Sequence, residues 1–424
     1  MSILKYAFLL LSLSLHLFAQ DISLLDDSQY CDDQCKKIAL NGASWERSQH
    51  ASEPLDPFYD TPDEFGPSTK PGHVLRVEEH TNLTTYTVPS GLTMSRILYA
   101  SQDLNGTTVL ASGFVLWPFE AFKYSSKHND ASNDTASDFP MVAWAHGTTG
   151  LFQRCAPSNY KALQYHFMTT FNLGFEGFAV VAPDYAGLGA SARPNGDKHP
   201  HQWVASPAGA SDLAFAIEAA RKAFPNRLKP EGPFVAMGHS QGGAVSWAFA
   251  ERQVKKPVPG YRGTITISAA VDSVNSIKQA LQAAVAGAPI PASTFSILPL
   301  ISGAITAVYP AFNYSGLSDR VWDRLNNVLR PLEVCLPTSM LSTAEFTVAD
   351  YTEHADWVNS TEAKEWTERT AVSRKEFAGP LSVIFGELDI APLESIHAAV
   401  DDTCALAVNK DKSLEYLELG AMVS

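Results

Sequence analysis

The sequence predicts an α/β fold: a mainly parallel central sheet with helices on both faces and an inserted helical cap. Three observations support this prediction. Short apolar runs without alternation, separated by helix-like stretches, are typical of strands buried on both faces of a parallel sheet. One of these runs ends in Gly-His-Ser-Gln-Gly, residues 238–242, directly before a helical pattern. A long apolar block at 273–350 interrupts the alternation of strands and helices.

The N-terminal part of the chain predicts a targeting signal followed by an arm. Residues 1–19 place Lys5 before an apolar run and Ala19 at a cleavage position, which predicts a secretory signal peptide. A membrane anchor is the alternative, but the run is shorter than the roughly 20 residues that span a bilayer. Residues 20–70 are rich in Pro, Asp and Ser, and we expect an irregular arm.

The predicted core occupies residues 71–272 and 351–424. It opens with three β-like segments, near 73–80, 92–100 and 109–119. Six further apolar runs predict strands of the main sheet, within 139–147, 177–189, 233–238, 263–272, 381–389 and 413–419. Apolar residues at helical spacing predict helices at 209–224 and 241–254. The serine-bearing turn therefore follows the third of the six strands.

Residues 273–350 form a predicted helical cap, or lid. They are apolar on most sides, broken by prolines, and lie between two predicted strands. The pattern alone leaves an ordinary pair of core helices open. The position after the serine-bearing strand favours a cap over the site, with an apolar surface that includes Ile297, Leu298, Leu300 and Ile301. Such a cap suits an apolar substrate.

Ser240 is the candidate nucleophile. Gly-x-Ser-x-Gly between a strand and a helix is a nucleophile elbow, in which the serine backbone is strained. Gly238 and Gly242 leave room for the close approach of strand and helix. A serine hydroxyl needs a base to take its proton. The N–H of Gln241 is the expected first donor of an oxyanion hole.

The second oxyanion donor is expected from the turn Ala-His-Gly-Thr-Thr-Gly at 145–150. Thr148 or Thr149 would supply it, because the turn after an earlier strand provides this donor in such sites. His146 lies in the same turn. We expect it to order the loop rather than to act as the base.

Asp389 is the candidate acid. It follows an apolar strand near the C-terminal end, in the segment Gly-Glu-Leu-Asp-Ile-Ala-Pro. That position agrees with the chain order serine, acid, histidine. Glu387 is the reserve candidate, and a solvated loop carboxylate without a catalytic role is the alternative.

The base should come after the next strand, 413–419. Only residues 420–424 follow that strand, and none of them is histidine. His397 lies one element too early, His354 precedes the acid, and the elbow should turn the side chain of His239 away. We therefore expect that none of the 424 residues serves as an efficient base for the serine.

Composition narrows the classes of function. The net charge is −14 and no basic patch stands out, so nothing indicates nucleic-acid binding. Export is supported by five glycosylation sequons, at Asn82, Asn105, Asn133, Asn313 and Asn359. There are five cysteines: Cys31, Cys35, Cys155, Cys335 and Cys404. In an oxidising compartment some should pair and one is left over. The first two could pair locally, and a metal site is not expected there because no histidine lies near them.

Several segments together resemble the fungal secretory lipases of the lipase A type, a family of capped α/β-hydrolases. They are DPFYDTP at 56–62, GHVLRV at 72–77, CAPS at 155–158, CLPT at 335–338, GHSQGGA at 238–244 and GELDIAP at 386–392. The resemblance implies acyl-ester hydrolysis, a lid over an acyl pocket, a disulfide between Cys155 and Cys335, and no cofactor. It assigns the nucleophile role to Ser240 and the acid role to Asp389.

The sequence departs from the resembled family at its C-terminus. Family members have a histidine after the last strand and a further tail, and this sequence ends where that histidine would stand. Cys404 also lacks an obvious partner. We expect a truncated chain rather than a new mechanism.

These observations favour a secreted, extracellular serine hydrolase of lipid or acyl esters, similar to triacylglycerol lipases. A short-chain carboxylesterase or a peptidase on the same fold remains open, as fold does not fix substrate. A catalytically dead binding protein also remains open, because the triad histidine is absent. The expected partners are the ester substrate and a transient lipid interface, without nucleic acid and without a transmembrane segment in the mature chain.

Overall fold

A nine-stranded sheet forms the centre of the protein. The computed structural model describes residues 24–123, 138–164, 167–389 and 393–420. The predicted signal peptide and Asn133 lie outside the described residues. The strands are β1 (Val74–Glu78), β2 (Leu92–Gln102), β3 (Thr108–Pro118), β4 (Met141–Ala145), β5 (Ala179–Pro183), β6 (Phe234–His239), β7 (Tyr261–Ile267), β8 (Leu381–Gly386) and β9 (Leu414–Leu419).

The strand order is β1-β2-β3-β5-β4-β6-β7-β8-β9. The pairs β1–β2, β2–β3 and β3–β5 are antiparallel, and all pairs from β5 to β9 are parallel. A tight turn joins β2 to β3, where Asp103 Oδ1 accepts the N–H groups of Asn105 and Thr107 at 2.9 and 2.8 Å. The later strands are joined by helical crossovers, which parallel pairing requires. The predicted α/β fold with a mainly parallel sheet is confirmed.

The helices are α1 (Asp33–Gln49), α2 (Phe167–Phe175), α3 (Ser206–Ala223), α4 (Gln241–Gln253), α5 (Ser273–Val285), α6 (Leu298–Val308), α7 (Asp319–Asp323), a π-helix (Arg324–Leu329), α8 (Arg330–Leu332), α9 (Leu336–Ser342), α10 (Val348–Thr352), α11 (Thr361–Thr370) and α12 (Leu393–Ala405).

Alternate residues of a strand pack in two separate hydrophobic clusters, one on each face of the sheet, because side chains of a strand point to opposite faces. Ala143 packs with α3 and α4, whereas Trp144 packs with Phe171 of α2. Helices therefore cover both faces.

Residues 20–70 were expected to form an irregular arm, and this expectation is wrong for part of the arm. It contains α1, whose first turn is capped by Asp32, with the carboxylate accepting the N–H of Cys35 at 2.9 Å. Ala39 and Leu40 of this helix are buried against the inserted helices. The prediction was wrong here because it used the proline and serine content of the whole arm, whereas the stretch that forms α1 contains no proline and is compatible with a helix.

The segment between β7 and β8 is helical, and its helices continue past the expected boundary at 350 to Thr370. Its apolar side chains form a second core, separate from the sheet, with Phe295, Val328 and Trp366 almost wholly buried. Leu298, Leu300 and Ile301 were expected on an apolar surface, but they are buried in this second core. A helix that is apolar on most sides does not reveal which side faces a ligand.

Within the described ranges, no helix is long and apolar enough to cross a membrane.

Candidate active site

Ser240 occupies a sharp turn between β6 and α4. Its backbone angles are φ 56° and ψ −119°, a conformation that side-chain-bearing residues rarely adopt. Its N–H donates to the carbonyl of Ile267 at 2.9 Å, which ties the turn to the end of β7. The residue is half-buried. This is the geometry of a nucleophile elbow, with the side chain at the carboxyl edge of the sheet.

The two glycines of the motif are required by close backbone contacts. A Cβ on Gly238 would lie 2.1 Å from the carbonyl oxygen of Gly242. A Cβ on Gly242 would lie 2.0 Å from the carbonyl oxygen of Ala145. Neither contact leaves space for a side chain, so strand, turn and helix approach each other only with glycine at both positions.

The turn at 145–150 lies against the start of α4. Thr148 and Thr149 are both buried. The hydroxyl of Thr148 accepts the indole N–H of Trp203 at 2.9 Å, and the carbonyl of Thr149 accepts the N–H of Leu336 at 2.8 Å. The turn is thus held by the segment before α3 on one side and by the start of α9 on the other. The candidate oxyanion residues Gln241, Thr148 and Thr149 come from segments that pack together.

Both ring nitrogens of His146 lie within hydrogen-bonding distance of backbone carbonyl oxygens. Its Nδ1 lies 2.7 Å from the carbonyl of Gly147, and its Nε2 lies 3.1 Å from the carbonyl of Asp184. Burial lowers the pKa of His146 to about 4, so the ring is neutral near pH 7. The residue orders the turn.

Asp184 is a buried charge-bearing group that the sequence analysis did not single out. Its carboxylate accepts the hydroxyls of Ser112 and Ser158, each at 2.6 Å, and the N–H of Ser158 at 2.9 Å. Burial is the largest influence on this carboxyl and raises its pKa. An Asp directly after the apolar run Ala-Val-Val-Ala-Pro was the available signal, because an aspartate at the end of a buried strand needs partners.

His201 is a second residue that the sequence analysis missed. Its Nε2 lies 3.2 Å from the side-chain nitrogen of Gln241, the residue after the candidate nucleophile. Both side chains are buried. No local pattern in the sequence connects these two residues, which come from different crossovers.

Asp389 lies after β8, in a turn where its N–H donates to the carbonyl of Gly386 at 3.2 Å. It is half-buried, whereas Glu387 is exposed. Burial lowers the pKa of His239, and the negative charge of Asp389 opposes this effect. The imidazole of His239 and this carboxylate are therefore within electrostatic range of each other. Residues 390–392, which complete the segment, lie outside the described residues.

The other candidate histidines are His397 and His354. His397 in α12 places Nε2 3.0 Å from the carboxylate of Glu418 and packs edge-on against Tyr416. His354 is exposed at the start of a 3₁₀ turn, Ala355–Asn359. In the part of the chain that the structure describes, no histidine forms a hydrogen bond with the hydroxyl of Ser240.

Two disulfides and one free thiol account for the cysteines. Cys155 is bonded to Cys335, with Cα atoms 5.4 Å apart, and Cys31 is bonded to Cys35. Cys404 is free and exposed. The long-range bridge joins the segment after the turn at 145–150 to the start of α9, next to a β-bridge between Gly150 and Cys335.

A cavity of about 450 Å³ lies between the core and the inserted helices. Its apolar lining includes Phe152 of the core and Leu325 of the insertion, and its polar lining includes His199 and His201. His201 thus contacts both the cavity and Gln241. Among the described residues, no group of His, Cys, Asp or Glu could hold a metal ion.

A strained serine between a strand and a helix of a mainly parallel sheet defines a hydrolase of the α/β class. Residues 142–389, more than half of the chain, match the model of the alpha/beta hydrolase family, and the protein belongs to that family.

Solved structures agree with this fold. The X-ray structure of Candida antarctica lipase A has a TM-score of 0.63 and 14% identity, with 87% of this chain and 80% of that chain covered. The rice cell wall degrading esterase LipA from Xanthomonas oryzae has a TM-score of 0.58 and 16% identity, covering 83% of this chain and 92% of that chain. At these identities the likeness concerns the fold alone. No curated protein matches the chain.

Proposed function

We propose that the protein is a serine ester hydrolase that acts on lipid or other acyl esters through an acyl-enzyme on Ser240. The observation that supports this most is the positive φ of 56° at Ser240, between β6 and α4. Strain of this kind at a residue with a side chain persists where the surrounding structure enforces it, and it concentrates at functional sites.

The proposed mechanism has two steps. The Ser240 hydroxyl attacks the acyl carbonyl while a base takes its proton, and the alcohol leaves with that proton. Water then attacks the acyl-enzyme and releases the carboxylic acid. The negative charge of each tetrahedral intermediate is stabilised by the N–H of Gln241 and by an N–H from Thr148 or Thr149. Asp389 orients the base and stabilises its charged form, and in this fold the base follows the last strand.

An apolar acyl group is the substrate feature we favour. The inserted helices are rich in apolar side chains, and the adjacent cavity of about 450 Å³ is large enough for an acyl chain. The titles of two structural neighbours name a lipase and an esterase. A short-chain esterase or peptidase, and an inactive hydrolase-fold protein, are the alternatives that the experiment below separates.

We also propose that the protein is secreted and glycosylated. Disulfides persist in oxidising compartments, and this chain has two. The asparagines of the four described sequons are exposed: Asn82, Asn105, Asn313 and Asn359. Peptide mapping of the secreted protein before and after glycosidase treatment tests both points.

The test of the proposed function uses a parent chain with a histidine-bearing segment joined after Gly420, because the base is expected after the last strand. It compares this parent with Ser240→Ala, Asp389→Asn and Glu387→Gln made in it. Labelling by a fluorophosphonate probe reports an activated serine. A series of p-nitrophenyl esters, beside a peptide panel, reports the substrate class. In this parent we expect labelling and ester hydrolysis that Ser240→Ala removes, a loss of about 10³-fold in Asp389→Asn, and little change in Glu387→Gln.

A matched control is Ser211→Ala, which removes a half-buried hydroxyl on α3 that donates to the carbonyl of Pro207 at 3.0 Å. It should keep labelling and hydrolysis. Equal hydrolysis in the parent and its Ser240→Ala variant would reject the proposal. A folded chain that binds esters but is not labelled by the fluorophosphonate probe would favour an inactive binding protein.

A further inference from the structure

His201 and Gln241 contact each other beside the candidate nucleophile. Their Nε2 atoms are 3.2 Å apart, and only 5% and 3% of the two residues is exposed. We infer that His201 is a positioning residue that holds the side chain of Gln241, and thereby the backbone N–H that follows Ser240. The inference rests on the proposed function, since Gln241 has an oxyanion role only if Ser240 is the nucleophile.

The hydrogen bonds of His201 fix which ring nitrogen carries the proton. Its Nδ1 lies 3.1 Å from the carbonyl oxygen of Ala186, and a carbonyl only accepts, so Nδ1 is the donor. In the neutral ring Nε2 is then an acceptor, and the amide N–H of Gln241 donates to it. Burial lowers the pKa of His201 to about 4, which keeps the ring neutral near pH 7.

The ring is itself held on the side away from Gln241. The N–H of Ala186 donates to the carboxylate of Asp212 at 3.0 Å, so the residue whose carbonyl accepts from His201 is anchored to α3. A Cβ on Gly187 would lie 2.4 Å from the backbone nitrogen of His201. The backbone of His201 is therefore packed directly against the loop that follows β5.

An aromatic stack links the same histidine to the other side of the site. The ring of Tyr185 is nearly parallel to that of His201, with centroids 6.0 Å apart, and it also stacks on His146 at 4.1 Å. The hydroxyl of Tyr185 donates to the carbonyl of His146 at 2.9 Å. His201 thus connects Gln241 with the turn that carries Thr148 and Thr149, the two sources of oxyanion donors.

The kinetic test uses His201→Phe, His201→Gln, Gln241→Met and the double variant His201→Phe/Gln241→Met, each made in the parent chain that carries the histidine-bearing segment. Phe keeps the shape of the ring but removes the acceptor, so the amide N–H of Gln241 must reorient. We expect kcat for ester hydrolysis and the rate of fluorophosphonate labelling to fall roughly 10- to 100-fold with KM little changed. The double variant should be no slower than the slower single variant, because both remove one interaction.

His201→Gln separates a positioning role from a role as the base. A glutamine at this position offers an oxygen acceptor near the location of the imidazole Nε2, but it cannot accept a proton at pH 7. We expect it to regain most of the rate lost in His201→Phe. A glutamine variant as slow as the phenylalanine variant, or additive losses in the double variant, would overturn the inference. The control His50→Phe replaces another buried histidine, one that contacts Tyr160, and should not change the rate.

A second measurement does not depend on catalysis. In ¹⁵N-histidine-labelled protein the His201 signals should report a protonated Nδ1 and an unprotonated Nε2, and the Nε2 signal should shift in Gln241→Met. A protonated Nε2, or no shift, would overturn the inference even in an active enzyme. If Ser240 is not labelled but these signals are as expected, the proposed function fails while the contact between His201 and Gln241 stands.

Discussion

Glu46 and Cys335 are 289 positions apart in the sequence and are joined by a hydrogen bond, in which the N–H of Cys335 donates to Glu46 Oε2 at 2.7 Å. The other carboxylate oxygen accepts the N–H of Thr338 at 2.9 Å. Glu46 lies in α1 and Cys335 directly precedes α9. The N-terminal helix therefore caps the helix that starts at the long-range disulfide, as carboxylates do at helix N-termini.

The first prediction concerns this cap. Glu46→Ala leaves two buried N–H groups without an acceptor, and we expect the free energy of unfolding to fall by roughly 2–3 kcal/mol. Glu46→Gln is the matched variant, because it keeps one carbonyl oxygen and should lose about half as much. Equilibrium denaturation in urea measures both. An unchanged midpoint in Glu46→Ala would show that water or another group satisfies these donors.

The second prediction concerns pH and Asp212. Burial raises the pKa of this carboxyl to about 7, although Ser101 and the N–H of Ala186 donate to it. The folded state then binds the proton more tightly than the unfolded chain, whose aspartates titrate near pH 4. The contribution of Asp212 to stability should therefore fall as the pH rises from about 4 to about 7 and level off above that.

Asp212→Asn removes this titration and keeps both an acceptor and a donor in place. Between pH 5 and pH 8 the unaltered protein should lose roughly 2–3 kcal/mol relative to the variant, as measured by denaturation at each pH. Asp401→Asn, on an exposed position of α12, is the control and should leave the pH profile unchanged. Parallel profiles for the protein and Asp212→Asn would mean that another group compensates.

The fold and the elbow could be predicted from the sequence because their signals are local. Apolar runs define the strands of the main sheet, and Gly238, Ser240 and Gly242 stand within five consecutive residues. The helix α1 was missed because the prediction relied on the composition of the whole arm. The apolar side chains of α1 pack on helices that are distant in the sequence. Helical boundaries in the insertion were also misplaced, as the second core continues to Trp366.

The polar framework of the site could not be predicted in the same way. His201 and Gln241 are 40 positions apart, and Ser101 and Asp212 are 111 positions apart. Such contacts depend on how elements distant in the chain pack together, which no periodicity encodes. The sequence did carry partial signals, since a buried Asp or His at the end of a strand requires hydrogen-bond partners.

The third prediction concerns the cavity between core and insertion. Gly303 of α6 lines it, and a Cβ there would lie 3.7 Å from Leu151 and from Tyr314, an ordinary contact distance. Gly303→Phe should fill the cavity without moving the backbone. We expect long-chain p-nitrophenyl esters to lose about tenfold more rate than short-chain esters, because only long chains need that space.

The matched control for the cavity is Ala307→Phe, which adds the same ring at a half-buried position on the same helix that does not line the cavity. It should affect long and short esters alike. Equal losses for both ester classes in Gly303→Phe would argue against acyl binding in this cavity. Leu298 and Leu300 are unsuitable for the test because charges there would disrupt the second core.

The last prediction concerns the base, and it starts from the end of β9. The N–H of Glu387 donates to the carbonyl of Leu419 at 3.1 Å, and a Cβ on Gly420 would lie 3.8 Å from the Glu387 carboxylate. The end of β9 therefore lies beside the turn that carries Asp389. A histidine in a segment joined after Gly420 is well placed to reach the acid and the nucleophile.

We expect a chain with a histidine-bearing segment joined after Gly420 to hydrolyse esters about 10³-fold or more faster than the unaltered chain, since the base of a triad accounts for most of the rate. The control carries the same segment with alanine in place of the histidine, and rates are compared per folded molecule. A different result would identify another histidine as the base. If the unaltered chain already turns over at the full rate, and His239→Ala, His354→Ala or His397→Ala abolishes that rate, the histidine removed is the base.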